Sequence, residues 1–454
     1  MRKYFGTDGI RRIANTELSP DLVYKVAKAG AYVLSKHTDK TPTILIGRDT
    51  RLSGTLIESA MVAGFLSYGA NVKLLGVMPT PAVAYLTRKL QADASVVISA
   101  SHNTFEFNGI KYFSNKGMKI PDELEEEIEE VMDSGKIQDL TAISEKIGVS
   151  EIRTDLLDEY VYFFRKNFDT NIEKHNRPYF KVAIDTANGA TYEVAEKIFT
   201  TLGINHVIIN NKPNGININE NCGSTHLEML KEYVVKNKMS LGIAYDGDGD
   251  RCLAVDENGE EIDGDKILAI IAKYLKSQGK LNKDTIVATV MSNLGLNKYV
   301  EDNKLKLIQT KVGDRYVLEE MLRSGYNLGG EQSGHVILLD YNPTGDGILT
   351  SLMIIQAILE SGKKASDLGN LVQKYPQVLI NAKVSSDKKY EYEKNEEIVK
   401  AIQEVEKEFS GNGRVLIRPS GTEPLVRVMI EGKELPIIEE RAKKIANLIE
   451  KNCK

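Results

Sequence analysis

Three stretches of this chain open in the same way, and their recurrence restricts the fold more than any other feature. Thr43-Ile44-Leu45-Ile46-Gly47-Arg48-Asp49, Lys181-Val182-Ala183-Ile184-Asp185-Thr186 and Thr285-Ile286-Val287-Ala288-Thr289-Val290 are short β-branched runs with a polar or glycine-bearing exit. Each precedes a stretch of helical period, the pattern of a buried parallel strand that feeds a helix. Later in each segment a second strand-like run ends in a polar loop. Ser95-Val96-Val97-Ile98 leads to Ser99-Ala100-Ser101-His102-Asn103, Leu241-Gly242-Ile243-Ala244-Tyr245 to Asp246-Gly247-Asp248-Gly249-Asp250, and Tyr326-Asn327-Leu328 to Gly329-Gly330-Glu331-Gln332-Ser333-Gly334-His335. The shared order of strand, helix, strand and polar loop predicts three similar α/β units with ligand groups at strand C-terminal ends.

Helix punctuation agrees. Ser19-Pro20 supplies an N-cap and first-turn proline before Leu22, Val26, Ala29 and Val33, which share one helical face. Pro121 likewise starts a helix whose glutamates at 123, 125, 126, 127, 129 and 130 read as a solvated face. Beyond Asp367 the pattern changes to the strand-like Val378-Leu379-Ile380, a charged helix from about Glu393, two strand-like runs at 415–418 and 426–430, and a last helix near 434–451. This predicts a smaller α+β domain. The expected boundaries are 1–153, 154–256, 257–368 and 369–454.

The chain has 454 residues, 59 basic against 64 acidic, for a net charge of −5. The basic excess that drives binding to a nucleic-acid backbone is missing, so any phosphate must be met by a few local cations. No run approaches 18 apolar residues, and Met1 to Gly9 turns to glycine and acid before a signal core forms, so the expected location is cytoplasmic, with no membrane partner. Cys222, Cys252 and Cys453 are widely spaced and make no C-x-x-C, which points to a reducing compartment and to neither a disulfide framework nor a zinc module.

Asp246, Asp248 and Asp250 alternate with glycines, so one tight loop can aim three carboxylates at one point. Such charges repel unless a cation sits among them, and hard oxygen ligands select Mg²⁺ or Ca²⁺ over zinc. A calcium EF-hand is the competitor, since Glu257 falls at the twelfth loop position; but the sixth, which needs glycine, is Arg251, and the flanks read as strands rather than helices. Ser101 follows an apolar strand, where a hydroxyl can act as nucleophile or phosphoryl carrier. His102, adjacent in sequence, is poorly placed as its triad base, and no G-x-S-x-G surrounds the serine. Arg418-Pro419-Ser420-Gly421-Thr422-Glu423-Pro424, with Arg427 behind it, combines hydroxyls, guanidiniums and a glycine that lets the backbone approach: a phosphate cradle. No Walker A sequence is present, so a nucleotide phosphate is not the natural guest. Glu331, Ser333 and His335 alternate, which places all three on one side of an extended segment and offers carboxylate, hydroxyl and imidazole to a polyol.

These four loops in this order resemble the α-D-phosphohexomutase superfamily. The match runs from Phe5-Gly6-Thr7-Asp8-Gly9-Ile10-Arg11 to Arg427, nearly the whole chain. Its opening stretch, Asn221-Cys222-Gly223-Ser224-Thr225-His226, and Gln332 in the Glu-Gln-Ser-Gly-His loop are most similar to the bacterial phosphoglucosamine mutases. The resemblance implies a heart-shaped fold of three α/β domains plus a C-terminal domain around a central active-site cleft. It implies an isomerase that interconverts glucosamine 6-phosphate and glucosamine 1-phosphate, in the route to cell-wall precursors. By that similarity Ser101 is the phosphoserine, one Mg²⁺ is held by Ser101, Asp246, Asp248 and Asp250, and glucosamine 1,6-bisphosphate is the intermediate and activator. Lys111 is the implied general acid/base; Arg11 and His102 line its pocket, and Arg251 stabilises charge near the transferring group. Glu331, Ser333 and His335 face the sugar, and Arg418, Ser420, Gly421, Thr422 and Arg427 hold the phosphate that is not reacting. The implied partner is a small-molecule sugar phosphate, with a homodimer as the candidate assembly. A glucose- or mannose-phosphate mutase and a non-catalytic sugar-phosphate-binding regulator are the alternatives. Thr104 and Leu227 stand where the family commonly has proline, which bears on loop geometry and removes no chemical group.

Overall fold

The computed structural model describes residues 3–6, 8–168, 179–420 and 423–454. Among the described residues, eighteen strands form four sheets. The first contains β1 (Ile10–Ile13), β2 (Thr43–Arg48), β3 (Asn71–Val77), β4 (Ala94–Ile98), β5 (Phe107–Ser114) and β6 (Ser150–Ile152), in the order β1-β5-β4-β2-β3-β6. The second contains β7 (Val182–Asp185), β8 (His206–Ile209), β9 (Leu241–Tyr245), β10 (Cys252–Asp256) and β11 (Glu261–Ile262), in the order β11-β10-β9-β7-β8. The third contains β12 (Thr285–Thr289), β13 (Lys306–Thr310), β14 (Leu328–Gly330) and β15 (Val336–Leu338), in the order β13-β12-β14-β15. In the fourth, β16 (Gln377–Lys383), β17 (Gly413–Pro419) and β18 (Leu425–Gly432) are antiparallel around β18.

The first three sheets share one plan. A central strand (β2, β7 or β12) has parallel neighbours on both sides, and the strand beyond the later neighbour returns antiparallel. The three similar α/β units read from the opening runs are therefore present, and the central strands are the ones those runs named. One strand is shorter than expected: β14 starts at Leu328, while Tyr326 N donates to Met321 O (2.9 Å) at the end of the preceding helix and the Asn327 side chain donates to Lys280 O (2.8 Å) and Asp340 (2.6 Å). The central strands are wholly buried apolar runs along most of their length, as expected where helices cover both faces of a parallel sheet.

The chain divides into two compact units, one of residues 1–291 and 305–371, the other of residues 292–304 and 372–454. In the second, the helices Glu396–Phe409 and Leu435–Asn452 pack on the antiparallel sheet around Val426, Val428, Ile430, Ile438, Ile445 and Ile449. Ser19 caps the helix Pro20–Leu34 by accepting from Leu22 N (3.3 Å), as the sequence predicts. The helix Asp122–Asp133 departs from its expected solvated glutamate face. Glu125 and Glu129 are buried, and Glu129 accepts from the backbone N–H groups of Lys3 (2.7 Å), Tyr4 (2.6 Å) and Phe5 (2.8 Å). Among the described residues, no helix is long and apolar enough to cross a membrane. The three cysteines are free and buried.

A buried polar node braces the first unit behind the second sheet's loop. Asp346 caps the helix Gly347–Ser361 through Leu349 N (3.0 Å) and accepts from Tyr160 Oη (2.8 Å) and Asn342 Nδ2 (3.2 Å). Gly347 N in turn donates to Gly249 O (3.0 Å). Burial pushes the Asp346 carboxyl up to about 6, although its hydrogen bonds pull the other way. A carboxyl raised on folding favours the native state below its unfolded value and loses that contribution as pH rises through about 6. Wild-type stability should therefore fall relative to Asp346→Asn by about 2 kcal/mol between pH 4 and pH 7, measured by denaturant unfolding at fixed pH; an unchanged difference would contradict this.

Candidate active site

The three polar loops singled out in the sequence occupy the same topological position. Each joins the later parallel strand to its antiparallel neighbour: β4 to β5, β9 to β10 and β14 to β15. In an open α/β sheet this lies outside the strand C-terminal ends, beside the switch in strand order where ligands bind.

Ser101 is 1% exposed and sits in the left-handed region at φ 52°, sparsely used by residues other than glycine. Its Oγ donates to Asp246 Oδ2 (2.7 Å) and lies 3.3 Å from His102 Nδ1. The adjacent imidazole, which sequence spacing discounts, therefore does touch the hydroxyl. Burial, then the charges of Arg251 and Arg11, push His102 down to about 4, so the ring is neutral at pH 7. Two loops 145 residues apart in sequence meet here. Their approach requires glycine at 247, where a Cβ would fall 2.5 Å from Ser101 O.

Asp246, Asp248 and Asp250 are all buried and present one carboxylate oxygen each within 4.8 Å of one another. Asp246 is pushed well above the usual carboxylate range by burial and then by the charges of Asp250 and Asp248. Asp248 is held well below that range: burial opposes this, but Lys111 Nζ at 2.9 Å and Thr80 Oγ1 at 2.7 Å outweigh it. Lys111, 2% exposed, also lies 3.7 Å from Asp250 Oδ2 and 3.3 Å from Asp8 Oδ2. Asp248 Oδ1 and Asp250 Oδ1 are buried and have no hydrogen-bond partner among the described residues. Orphaned anionic oxygens that converge are costly unless a cation satisfies them, so the donor set fits a hard divalent metal. The flanks are the strands β9 and β10, not EF-hand helices.

Arg11 pairs with Asp8, and its Nη1 is 3.5 Å from Asn103 Oδ1. Asp8 also pairs with Lys119, which lies 2.5 Å from Asp314 Oδ2; Asp314 in turn lies 3.4 Å from His335 Nε2. Asp8, Thr80, Lys119 and Asp314 were missed by sequence reasoning. Asp8 lay inside a quoted motif, but nothing local marks the others. Arg251 Nε lies 3.9 Å from Asp250 Oδ1, and the Arg251 backbone N–H donates to Asp246 Oδ1 (3.1 Å).

The Glu331 loop is not the extended segment the alternation suggested. Gly334 N donates to Glu331 O (3.0 Å), and Gly334 has φ 91°, so residues 331–334 form a turn. The three side chains therefore diverge in environment. Glu331 Oε1 accepts from Gly313 N (3.1 Å), Ser333 is exposed, and His335 is buried with Nε2 accepting from Gly345 N (3.2 Å).

In the second unit, Arg418 and Arg427 are direct partners across β17 and β18. Burial and then the Arg427 charge push the Arg418 guanidinium below its ordinary value. Ser420 N donates to Leu425 O (2.8 Å), and Ser420 Oγ accepts from Glu423 N (3.3 Å). Gly421 and Thr422 lie outside the described residues.

Four family models cover most of the chain: phosphoglucomutase/phosphomannomutase alpha/beta/alpha domain I at residues 2–139, domain II at 158–259, domain III at 263–375, and the C-terminal domain at 379–448. The chain belongs to the phosphohexomutase superfamily. It is 53% identical over 99% of both chains to a phosphoglucosamine mutase of Ruminiclostridium cellulolyticum, and so stands close to the bacterial enzymes of that name. Its fold matches that of a phosphoglucomutase/phosphomannomutase family protein from Burkholderia thailandensis (TM-score 0.80, 21% identity, 100% and 99% of the two chains). It also matches N-acetylphosphoglucosamine mutase of Aspergillus fumigatus, solved with GlcNAc-6P and magnesium (TM-score 0.68, 16% identity, 100% and 96%).

For this phosphohexomutase the carboxylate cluster gives a direct test. Adding Mg²⁺ to metal-stripped protein should raise its melting temperature, with about 2.7 kcal/mol of stabilisation at a hundredfold excess over Kd. Asp250→Asn should remove most of that response, and an undiminished rise in the variant would rule the cluster out as the site.

Proposed function

We propose that the protein is a phosphoglucosamine mutase that interconverts glucosamine 6-phosphate and glucosamine 1-phosphate. The full-length similarity supports the reaction, and the observation that carries the mechanism is Ser101 Oγ held 2.7 Å from a buried carboxylate triad. In this reading Ser101 carries the phosphoryl group. The bond from phosphorus to Ser101 Oγ breaks as a bond forms to the free hydroxyl of the sugar monophosphate, whose proton passes to a base. The product of this half-reaction is glucosamine 1,6-bisphosphate. The bisphosphate turns over in the site and returns its other phosphoryl group to Ser101, because one fixed donor must reach both ends of the sugar.

Mg²⁺, one per site, would be held by Asp246, Asp248, Asp250 and the group on Ser101, and would neutralise charge on the phosphoryl group in transfer. Lys111 is assigned the proton transfer. Its contacts with Asp248, Asp8 and Asp250 keep it an ammonium against the effect of burial, so it starts as the acid: it gives a proton to Ser101 Oγ as that oxygen leaves phosphorus and, now neutral, is the base that takes the proton of the attacking sugar hydroxyl. Arg11, His102 and Arg251 line the reacting end. Glu331 and Ser333 address the sugar hydroxyls, and His335 supports their turn. Arg418, Ser420, Gly421, Thr422 and Arg427 hold the distal phosphate; the opposed guanidiniums of Arg418 and Arg427 favour a dianion between them. The domain boundaries 1–153, 154–256, 257–368 and 369–454, a cytoplasmic location and a homodimer belong to the same proposal.

Purified protein with Mg²⁺ and a trace of glucosamine 1,6-bisphosphate should convert glucosamine 6-phosphate to the 1-phosphate. Ser101→Ala should lower turnover on the order of 10³-fold or more and abolish the phosphorylated species in intact-mass spectra. Equal or greater activity on glucose or mannose phosphates would overturn the narrower substrate, and phosphate mapped to another residue would overturn the mechanism.

A further inference from the structure

The Ser101 loop is gripped by two side chains from different sheets that converge on the same two carbonyl oxygens. Arg51 follows β2, and Asn219 belongs to the segment between β8 and β9. Arg51 Nη2 donates to Ser101 O (3.0 Å) and Asn103 O (2.8 Å). Asn219 Nδ2 donates to the same two acceptors, each at 2.9 Å. Each carbonyl therefore spends both lone pairs on the pair of side chains.

Both side chains have their donors fully committed. Arg51 is entirely buried; its Nε donates to Asp49 Oδ2 (2.8 Å), and its Nη1 donates to Phe107 O (3.0 Å) and Thr104 O. With Nη2 on two carbonyls, all five guanidinium N–H groups are accounted for, and none is left for a phosphate. The two Nδ2 hydrogens of Asn219 are likewise both used. A buried guanidinium with no free donor is not a ligand for substrate; its chemistry here is to hold backbone.

The grip extends to the other side of Ser101. Asp49 Oδ2 accepts from Ser99 Oγ (2.6 Å), and Ser99 Oγ accepts from Ser101 N (2.9 Å). Asn219 is itself fixed by Asn219 N donating to Ala187 O (2.9 Å), and a Cβ at 247 would fall 2.8 Å from its Nδ2. Asn219 thus ties the serine loop to the aspartate loop. Ser101 sits at φ 52°, a conformation that a free serine loop would leave.

We infer that Arg51 and Asn219 are positioning residues for phosphoryl transfer, clamping the Ser101 and Asn103 carbonyls so that Ser101 Oγ stays against the aspartate triad. This rests on the proposed mutase reading. Phosphoryl transfer depends almost entirely on placement, and a misplacement of about 1 Å can cost roughly 100-fold in rate.

Arg51→Lys retains the charge opposite Asp49 but cannot span four carbonyls, and Asn219→Ala removes two donors without stranding a buried charge. The expected result for each is a kcat lower by roughly 10- to 100-fold, a KM for glucosamine 6-phosphate within about twofold of wild type, and faster amide hydrogen exchange across residues 100–105. If Arg51→Lys does not fold, Asn219→Ala decides alone. Unchanged kcat, raised KM at constant kcat, or a change in only one of the two readouts would overturn the clamp. Wild-type protein inert on glucosamine phosphates would instead defeat the substrate reading, and hydrogen exchange in the variants would still decide whether these side chains hold the loop.

Discussion

Burying three carboxylates at one point is the constraint around which the first unit is organised. Left alone, such a cluster would protonate or expand, since burial and mutual repulsion both disfavour the charged form. The chain offsets this unevenly. Lys111 and Thr80 are spent on Asp248, which stays ionised, while Asp246 receives Ser101 Oγ and the Arg251 amide and is driven upward by its two neighbours. Two further oxygens are left over, on Asp248 and Asp250. The cluster is thus left with unsatisfied oxygens, and the segments around it pack closely: Gly189 and Gly247 meet where any Cβ would collide with backbone.

The repeated sheet plan explains how residues so far apart come to share a site. A central strand with parallel neighbours on both sides creates a switch in order at its C-terminal end. The loop after the later of the two parallel neighbours is delivered to that position in each unit. One unit places a hydroxyl there, the next three carboxylates, the third a turn carrying Glu331 and His335. The same core of central strand, two parallel neighbours and an antiparallel return therefore presents three different sets of side chains, although the sheets differ in their edge strands.

This also marks what could be read without coordinates. Ser101 and the three aspartates were legible because each is a local pattern at the end of a strand-like run, and the repeated opening runs named the central strands. Glu129 was misjudged because helical periodicity reports an acidic face but not the three N–H groups that arrive from residues 3–5 to neutralise it. Alternation in Glu331-Gln332-Ser333-Gly334-His335 suggested one extended face, yet a single i to i+3 hydrogen bond at Gly334 folds it into a turn. Lys119 joins Asp8 and Asp314, 111 and 195 residues away, and no short-range signal encodes such a triple. Arg51 carries no mark in the sequence; only the count of its five donors shows that it holds backbone.

The net charge of −5 remains the simplest puzzle for a protein read as binding a bisphosphate, and the resolution lies in where the cations sit. Lys111 and Arg51 are consumed internally by carboxylates and carbonyls, so neither adds free positive potential. In the second unit the balance is reversed. Arg418 and Arg427 face each other across adjacent strands, an arrangement that destabilises an unliganded sheet, and the nearest carboxylate, Glu423, reaches Arg427 only at 3.6 Å. Burial and then the Arg427 charge lower Arg418, and an anion held by both guanidiniums would oppose that repulsion. A globally acidic chain can thus still present two opposed arginines, the local cations that a phosphate dianion would require.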